Sequence, residues 1–161
     1  MAVDMFLKIE GVEGEEEDAK HKGEIRLESK DISAVQEGSA NLGKGMGAGK
    51  VAFHDVNCTA RTSKASPTLM MACASGEHFK KATITARKAG KDQQDYLIIT
   101  LSDVLVSSFH IGASATGSDI PLDTFALNFS KIEFEYKEQK ADGTLGGKVK
   151  KGWDVKTNKA S

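Results

Sequence analysis

Apolar residues recur at every second position through much of this chain, and this alternation constrains its fold more than any other feature. In the N-terminal stretch AVDMFLKIE, the residues Val3, Met5, Leu7 and Ile9 share one parity, and residues 80–88 repeat the pattern. Successive side chains of a β-strand point to opposite faces, so this period predicts strands with one buried face. The chain is therefore predicted to be mainly β.

Two longer apolar stretches indicate how the strands are arranged. Residues 95–111 are mostly apolar, which is typical of a strand buried on both sides. Within residues 123–137, apolar residues first share one parity (Phe125, Leu127 and Phe129) and then the other (Ile132, Phe134 and Tyr136). The second set is expected to face the core. This change of phase predicts a β-bulge near Ser130–Lys131, and a bent strand suits a closed barrel. Residues 152–157 are predicted to form a last strand anchored by Trp153.

Residues 67–75 form the one segment that is typical of a helix. Ser66 is a suitable N-cap, Pro67 suits the first helical position and Gly76 suits the C-terminus. Leu69 and Cys73 lie four residues apart, on the side expected to be buried. A helix this short is expected to cover an open end of the barrel.

The loops and the composition complete the architecture. The chain has 161 residues, of which 39% are hydrophobic and 28% charged, which is enough for one globular domain. The connections are an acidic loop (10–24), a glycine-rich loop (38–50) and a turn (139–148), and none is long enough to separate domains. We therefore predict a single antiparallel β-barrel over residues 1–161, with a β-sandwich as the alternative.

The charge excludes several functions. A net charge of -1, from 22 basic and 23 acidic residues, gives no general attraction to nucleic acid or to anionic lipid. No apolar run approaches the ~20 residues that span a bilayer. The N-terminus carries Asp4 and lacks the basic start of a secretory signal, so we expect folding in the cytoplasm, with any export by another route.

The stretch GKGMGAGK (43–50) has glycine at every second position before a lysine, as a phosphate-binding loop could. The pattern G-x-x-x-x-G-K-[ST] requires glycine and then Ser or Thr where this chain has Lys44 and Val51. The pattern G-x-G-x-x-G fails because Ala48 or Lys50 occupies its last position. Nucleotide binding is therefore not predicted.

Metal and nucleophile motifs are absent from the sequence. Its four histidines are all more than twenty residues apart, and Cys58 and Cys73 form no C-x-x-C pair. Ser75 lacks the flanks of a nucleophile elbow. We expect two reduced cysteines, and neither a metal nor a cofactor.

Two alternative functions remain open from the residues alone. Glu133 and Glu135 share a strand face at roughly 6.5–7 Å, a separation that glycosidases use, although a solvated strand face explains them better. The other alternative is a monomeric barrel that binds a small ligand, which an interior filled by Phe125, Phe129 and Ile98 would exclude.

Several segments in order resemble the haemolysin-coregulated protein (Hcp) family, which forms the tube of bacterial type VI secretion systems. The resemblance covers nearly the whole length and is carried by MAVDMFLKI, GAGK, SPTLMMACASGEHF, ARKAG followed by DYLIITLSDVLVSS, LNFSKIEFEY, QKADGT and GWDVKTN. It departs from the family in residues 24–38, where Lys30 and Ile32 stand about where aromatic residues are expected.

The resemblance implies a structural protein and not an enzyme. Six barrels would form a hexameric ring with a wide channel, and rings would stack into a tube that a contractile sheath drives outward. The implied partners are further copies of the chain, sheath and spike (VgrG-type) proteins, and small secreted effectors carried in the channel. The protein would be cytoplasmic before firing and then secreted without a signal peptide.

The resemblance also gives the glycine-rich loop a role between protomers. Alternating glycines allow close approach to another surface, with Leu42 and Met46 as apolar anchors. The residues expected in this contact are Leu42, Gly43, Lys44, Gly45, Met46, Gly47 and Gly49.

Opposite charges are expected to contribute to contacts between stacked rings. The predicted acidic residues are Glu15, Glu16, Glu17 and Asp18, and the predicted basic residues are Lys148, Lys150 and Lys151. Exposed pairs of this kind contribute only ~0.2–1 kcal/mol each and weaken with salt.

Overall fold

Strands dominate the computed structural model, which describes residues 3–36, 50–88, 93–113 and 120–161. The described elements, in chain order, are β1 (Val3–Ile9), β2 (Ile25–Asp31), β3 (Ala34–Val35), β4 (Ala52–Phe53), β5 (Val56–Arg61), α1 (Ala65–Ser75), β6 (His78–Lys88), β7 (Asp95–Gly112), β8 (Leu122–Asn128), β9 (Lys131–Gln139), β10 (Leu145–Asp154) and β11 (Lys159–Ala160).

Six antiparallel strands close into a barrel in the order β7-β6-β1-β2-β5-β8, and β8 pairs again with β7. The length of β7, 18 residues, makes this closure possible. One edge of β7 pairs with β6, and its other edge pairs first with β9 and then with β8. The predicted antiparallel β-barrel is confirmed.

The strands β9, β10 and β11 extend the sheet beyond the barrel from the first half of β7. Along that edge Leu97 lies opposite Tyr136, and Leu101 lies opposite Ile132. The β9–β10 hairpin is therefore a flap whose inner face continues the inner face of the barrel wall.

The predicted bulge at Ser130–Lys131 is wrong. Ser102 pairs with Lys131 and Leu105 pairs with Asn128. The same number of residues therefore separates the two pairs on each side of the ladder, so neither side carries the extra residue of a bulge. The ladder is instead interrupted there, and the Ser130 N–H donates to the Ser102 carbonyl at 3.0 Å. The irregularity in register lies between Val106 and Ser108 of β7.

The barrel interior is filled by side chains, as expected for a small barrel. Phe125 is 1% exposed and Phe129 is 6% exposed, as predicted. Ile98 was expected there too, but it has the opposite parity to the buried Ile99 and lies outside the core cluster. Leu101 and Leu127, both fully buried, join the same core cluster. This packing argues against the monomeric ligand-binding alternative.

The helix runs from Ala65 to Ser75, two residues longer at its start than predicted. Ser66 is not its cap: the Ser66 hydroxyl donates to the buried Asp123 carboxylate, and the Ser63 hydroxyl accepts the Ala65 N–H at 3.2 Å. Gly76 ends the helix, as predicted, in the left-handed conformation with φ of 70°.

Candidate functional site

The acidic loop folds back over the outer surface of β1. The ring of His21 stacks on Phe6, with centroids 4.1 Å apart and planes 7° from parallel. The two ring nitrogens of His21 lie 2.9 Å from a Glu24 carboxylate oxygen and 3.3 Å from one of Asp95. Phe6 has no exposed surface, so the loop acts as a cover for this side of the barrel.

A two-pronged ion pair fixes the same loop to β6. The guanidinium nitrogens of Arg87 donate to the two carboxylate oxygens of Asp18, at 2.9 and 2.5 Å. These hydrogen bonds hold the pKa of Asp18 well below its usual range and raise the pKa of Arg87. Arg87 is 2% exposed, and its guanidinium also lies 4.8 Å from the Phe6 ring centroid.

The other acidic residues of the loop differ in how they are held. Glu16 accepts two hydrogen bonds from Arg26, at 2.7 and 3.3 Å, and these lower its pKa. A Glu15 carboxylate oxygen accepts the Lys64 backbone N–H at 3.0 Å, and Glu17 is exposed. Of the four predicted stacking acids, Glu16 and Asp18 therefore form ion pairs within their own chain, and Glu15 accepts a backbone hydrogen bond there.

The predicted lysines all lie on β10, with Lys148 and Lys150 on one face and Lys151, opposite Phe134, on the other. Lys148 is 3.9 Å from a Glu135 carboxylate oxygen, and Lys150 is 3.5 Å from one of Glu133. Within the described ranges Lys151 forms no ion pair. Glu133 and Glu135 share a strand face, as expected, but lysines oppose both of them, as in a solvated charged face.

The two sets of charges begin at opposite ends of the barrel. The acidic loop starts where β1 ends, which is also where β6 begins, because these strands are antiparallel. The turn before the lysines lies where β9 ends and β7 begins, at the other end. The acidic loop then runs along the barrel toward that other end, because Asp18 reaches Arg87, which pairs with Asp95 at the start of β7.

The predicted inter-protomer residues Leu42–Gly49 lie outside the described residues. The segments on both sides of them are described: Ala34 pairs with Phe53, and Val35 pairs with Ala52. The His54 N–H also donates to the Ser33 carbonyl at 3.1 Å. Both ends of the glycine-rich segment are thus held side by side by the short β3–β4 ladder.

An exposed apolar surface lies on the inner face of the β9–β10 flap, where the alternation predicted core residues. Phe134 is 44% exposed, Tyr136 is 43% exposed and Val149 is 59% exposed, and only Ile132 is buried among the predicted set of β9. The expectation that Phe134 and Tyr136 face the core is wrong. The barrel closes through β8, so the part of the inner face on β9 lies outside it. We call Phe134, Tyr136 and Val149 the flap surface.

Evidence for catalysis is lacking in the part of the chain that the structure describes. No three His, Cys, Asp or Glu residues there are grouped as metal ligands. Burial raises the pKa of the Cys58 thiol to about 12, which opposes a role as a nucleophile. No helix among the described residues is long and apolar enough to cross a bilayer.

Comparisons with known proteins agree on one family. The family model described as "Type VI secretion system effector, Hcp" matches residues 6–136. The chain is 47% identical over 160 residues to the protein hcp1 of Pseudomonas aeruginosa, covering 98% of both chains.

Solved structures give the same result. A structure of a type six secretion system protein superposes with a TM-score of 0.95 at 29% identity, covering 99% of this chain and 100% of that one. Hcp1 from Salmonella typhimurium superposes with a TM-score of 0.84 at 35% identity, covering 100% of both chains.

Proposed function

This chain belongs to the Hcp family of type VI secretion system proteins, and from this membership we propose that it is the subunit of a hexameric ring that stacks into a secretion tube. The observation that carries the proposal is the full-length match, 47% identical over 98% of both chains, to the Pseudomonas protein. The filled barrel and the exposed flap surface support association with other chains and not binding inside one barrel.

Ring closure follows from repeating one contact. A head-to-tail contact between unlike surfaces of identical subunits closes when its rotation divides a full turn. We propose that residues 38–50 of each subunit reach the adjacent barrel and help to make this contact. The observation that supports this role is the β3–β4 ladder, which holds both ends of the segment side by side.

Stacking of rings requires a second contact between their faces. We propose that the charges of the acidic loop and of β10 supply part of it, since exposed charges of both signs lie on these two segments. Glu15, Glu17 and Lys151 are the members that intramolecular ion pairs leave available, because Arg26, Arg87, Glu133 and Glu135 engage the others.

The remaining roles follow from the family. We propose that the sheath and spike proteins of the secretion system and small effectors are the partners, with the effectors carried in the channel of the ring. We propose no catalytic step. We also propose that the secretion system itself exports the protein from the cytoplasm.

Native mass spectrometry tests the ring directly. Six copies of the 17.2 kDa chain give a particle of about 103 kDa, and negative-stain electron microscopy should show annular particles. A single-chain mass at high protein concentration, without annular particles, would contradict the proposal and favour the monomeric alternative.

A further inference from the structure

We propose that His21 is a pH-sensitive attachment for the acidic loop (10–24). With a proton on each ring nitrogen it holds the loop against the start of β7, and the loss of one proton releases that contact. The inference concerns the fold of each subunit and goes beyond the proposed ring.

Both ring nitrogens of His21 face groups that cannot donate a hydrogen bond. Nδ1 lies 2.9 Å from a Glu24 carboxylate oxygen, and Nε2 lies 3.3 Å from one of Asp95. An ionised carboxylate only accepts hydrogen bonds, whereas a neutral imidazole has one donor nitrogen and one acceptor nitrogen. Both contacts are therefore hydrogen bonds only when each nitrogen carries a proton.

His21 is the one ion-pair partner of both carboxylates within the described ranges of the chain. The side chain of Glu24 is 14% exposed and that of Asp95 is 33% exposed, against 6% for His21. Partly buried charges are stable in a protein when an opposite charge compensates them. A doubly protonated ring supplies that charge to both carboxylates, whereas a neutral ring would turn a lone pair toward one of them.

The other charged groups around the Phe6 ring are engaged elsewhere. Arg87 pairs with Asp18, Arg26 pairs with Asp4 and Glu16, and Lys20 donates to the Gln93 carbonyl. The pKa of Asp18 is lowered first by its hydrogen bonds to Arg87 and, among smaller causes, by the charge of His21. These pairs leave His21 as the cation that compensates Glu24 and Asp95.

The attachment joins distant parts of the chain. Asp95 begins β7 and lies 74 positions from His21, whose own segment carries the acidic residues Glu15 and Glu17. The same loop is held a second time by the pair between Asp18 and Arg87. The two attachments respond to pH in opposite directions, because acid neutralises the Asp18 carboxylate and base removes the second proton of His21.

Two measurements on the full-length protein test this inference. Nuclear magnetic resonance of protein labelled with ¹⁵N-histidine follows the ring, because a doubly protonated imidazole gives two similar nitrogen shifts and a neutral one gives two different shifts. Hydrogen exchange, corrected for the pH dependence of the intrinsic rate, follows the loop amides of Gly14, Gly23 and Glu24. We expect their protection to fall by about tenfold when His21 loses its second proton, as the loss of one charge-assisted hydrogen bond predicts.

Asp95→Asn is the variant that isolates the proton. An asparagine amide can donate to the acceptor nitrogen of a neutral imidazole, so we expect the loop to stay protected on both sides of the proton loss. His21→Gln should lower the protection and remove its pH dependence. The matched control is His78→Gln, because His78 is exposed and has one carboxylate partner, Asp103, at 3.0 Å, and this variant should behave as the unsubstituted chain does.

Three results would overturn the inference. They are a singly protonated His21 ring while the loop amides are fully protected, protection that stays constant through the proton loss, and pH dependence that persists in Asp95→Asn. None of these results bears on the proposed ring, which native mass spectrometry tests separately.

Discussion

Asp18 pairs with Arg87 across 69 positions of the chain, with two guanidinium nitrogens 2.9 and 2.5 Å from its carboxylate oxygens. Arg87 is 2% exposed, so Asp18 is the charge that compensates a buried guanidinium. The pair also fixes the acidic loop over Phe6. The loop is therefore part of the packed structure and not a separate charged extension.

Loss of the Asp18 charge should lower stability. We expect Asp18→Asn to lower the urea midpoint of unfolding, because Arg87 would remain buried without its counter-charge. The control is Glu13→Gln, which removes the exposed pair with Lys64 and should change the free energy of unfolding by less than about 1 kcal/mol. Equal effects of the two substitutions would show that the Asp18–Arg87 pair does not secure the loop.

The Asp18 carboxylate also makes the free energy of unfolding depend on pH. The pKa of Asp18 is lowered in the folded chain by its hydrogen bonds to Arg87, and that of Glu16 is lowered by those from Arg26. The unfolded state therefore binds protons first as the pH falls past their ordinary values, 3.8 and 4.5, and the stabilisation present above that range is progressively lost. The urea midpoint of unfolding should fall as the pH is lowered from 7 to 3. The midpoint of the Asp18→Asn variant should fall less over the same range.

Gly14 should not tolerate a side chain. A Cβ at this position would lie 2.3 Å from the Glu24 carbonyl oxygen, and Gly14 itself is buried. We expect Gly14→Ala to lower the free energy of unfolding by about 1–3 kcal/mol, as overpacking does. Gly147→Ala is the matched control, since a Cβ there meets nothing within 4 Å, and a comparable loss in that variant would contradict the steric explanation.

Ring stacking should weaken with salt. Exposed ion pairs contribute ~0.2–1 kcal/mol each and are screened as ionic strength rises, so sedimentation should show shorter stacks at higher salt. Lys151→Gln should shorten stacks at low salt, and Lys159→Gln, which lies in the exposed strand β11, is the control. Stacking that does not respond to ionic strength would exclude a role for these charges.

The glycines of the segment should matter to the ring and not to the barrel. We expect Gly45→Leu with Gly47→Leu to leave the circular dichroism spectrum and the Tm unchanged while lowering the fraction of hexamer. Size-exclusion chromatography with light scattering measures that fraction. Hexamers as abundant as those of the unsubstituted chain would remove the proposed role of the segment.

Much of the fold could be predicted because its signals are local. The alternation in residues 3–9 and 80–88 depends only on the pleat of a strand, and the helix end at Gly76 depends on the one residue type that adopts a positive φ freely. The errors occur where the parity of a residue along its strand was used to predict whether its side chain is buried in the core. Phe134 and Tyr136 have the parity of Ile132, yet only Ile132 is buried.

The sequence by itself determined the strand period, the helix and, through its segments, the family. Only the tertiary structure decided that β8 closes the barrel, which leaves the inner face of β9 open, and that Asp18 crosses the surface to a buried Arg87. The physical reason is range: a strand's pleat is set by neighbouring residues, whereas burial and ion pairing depend on which distant strands share an edge.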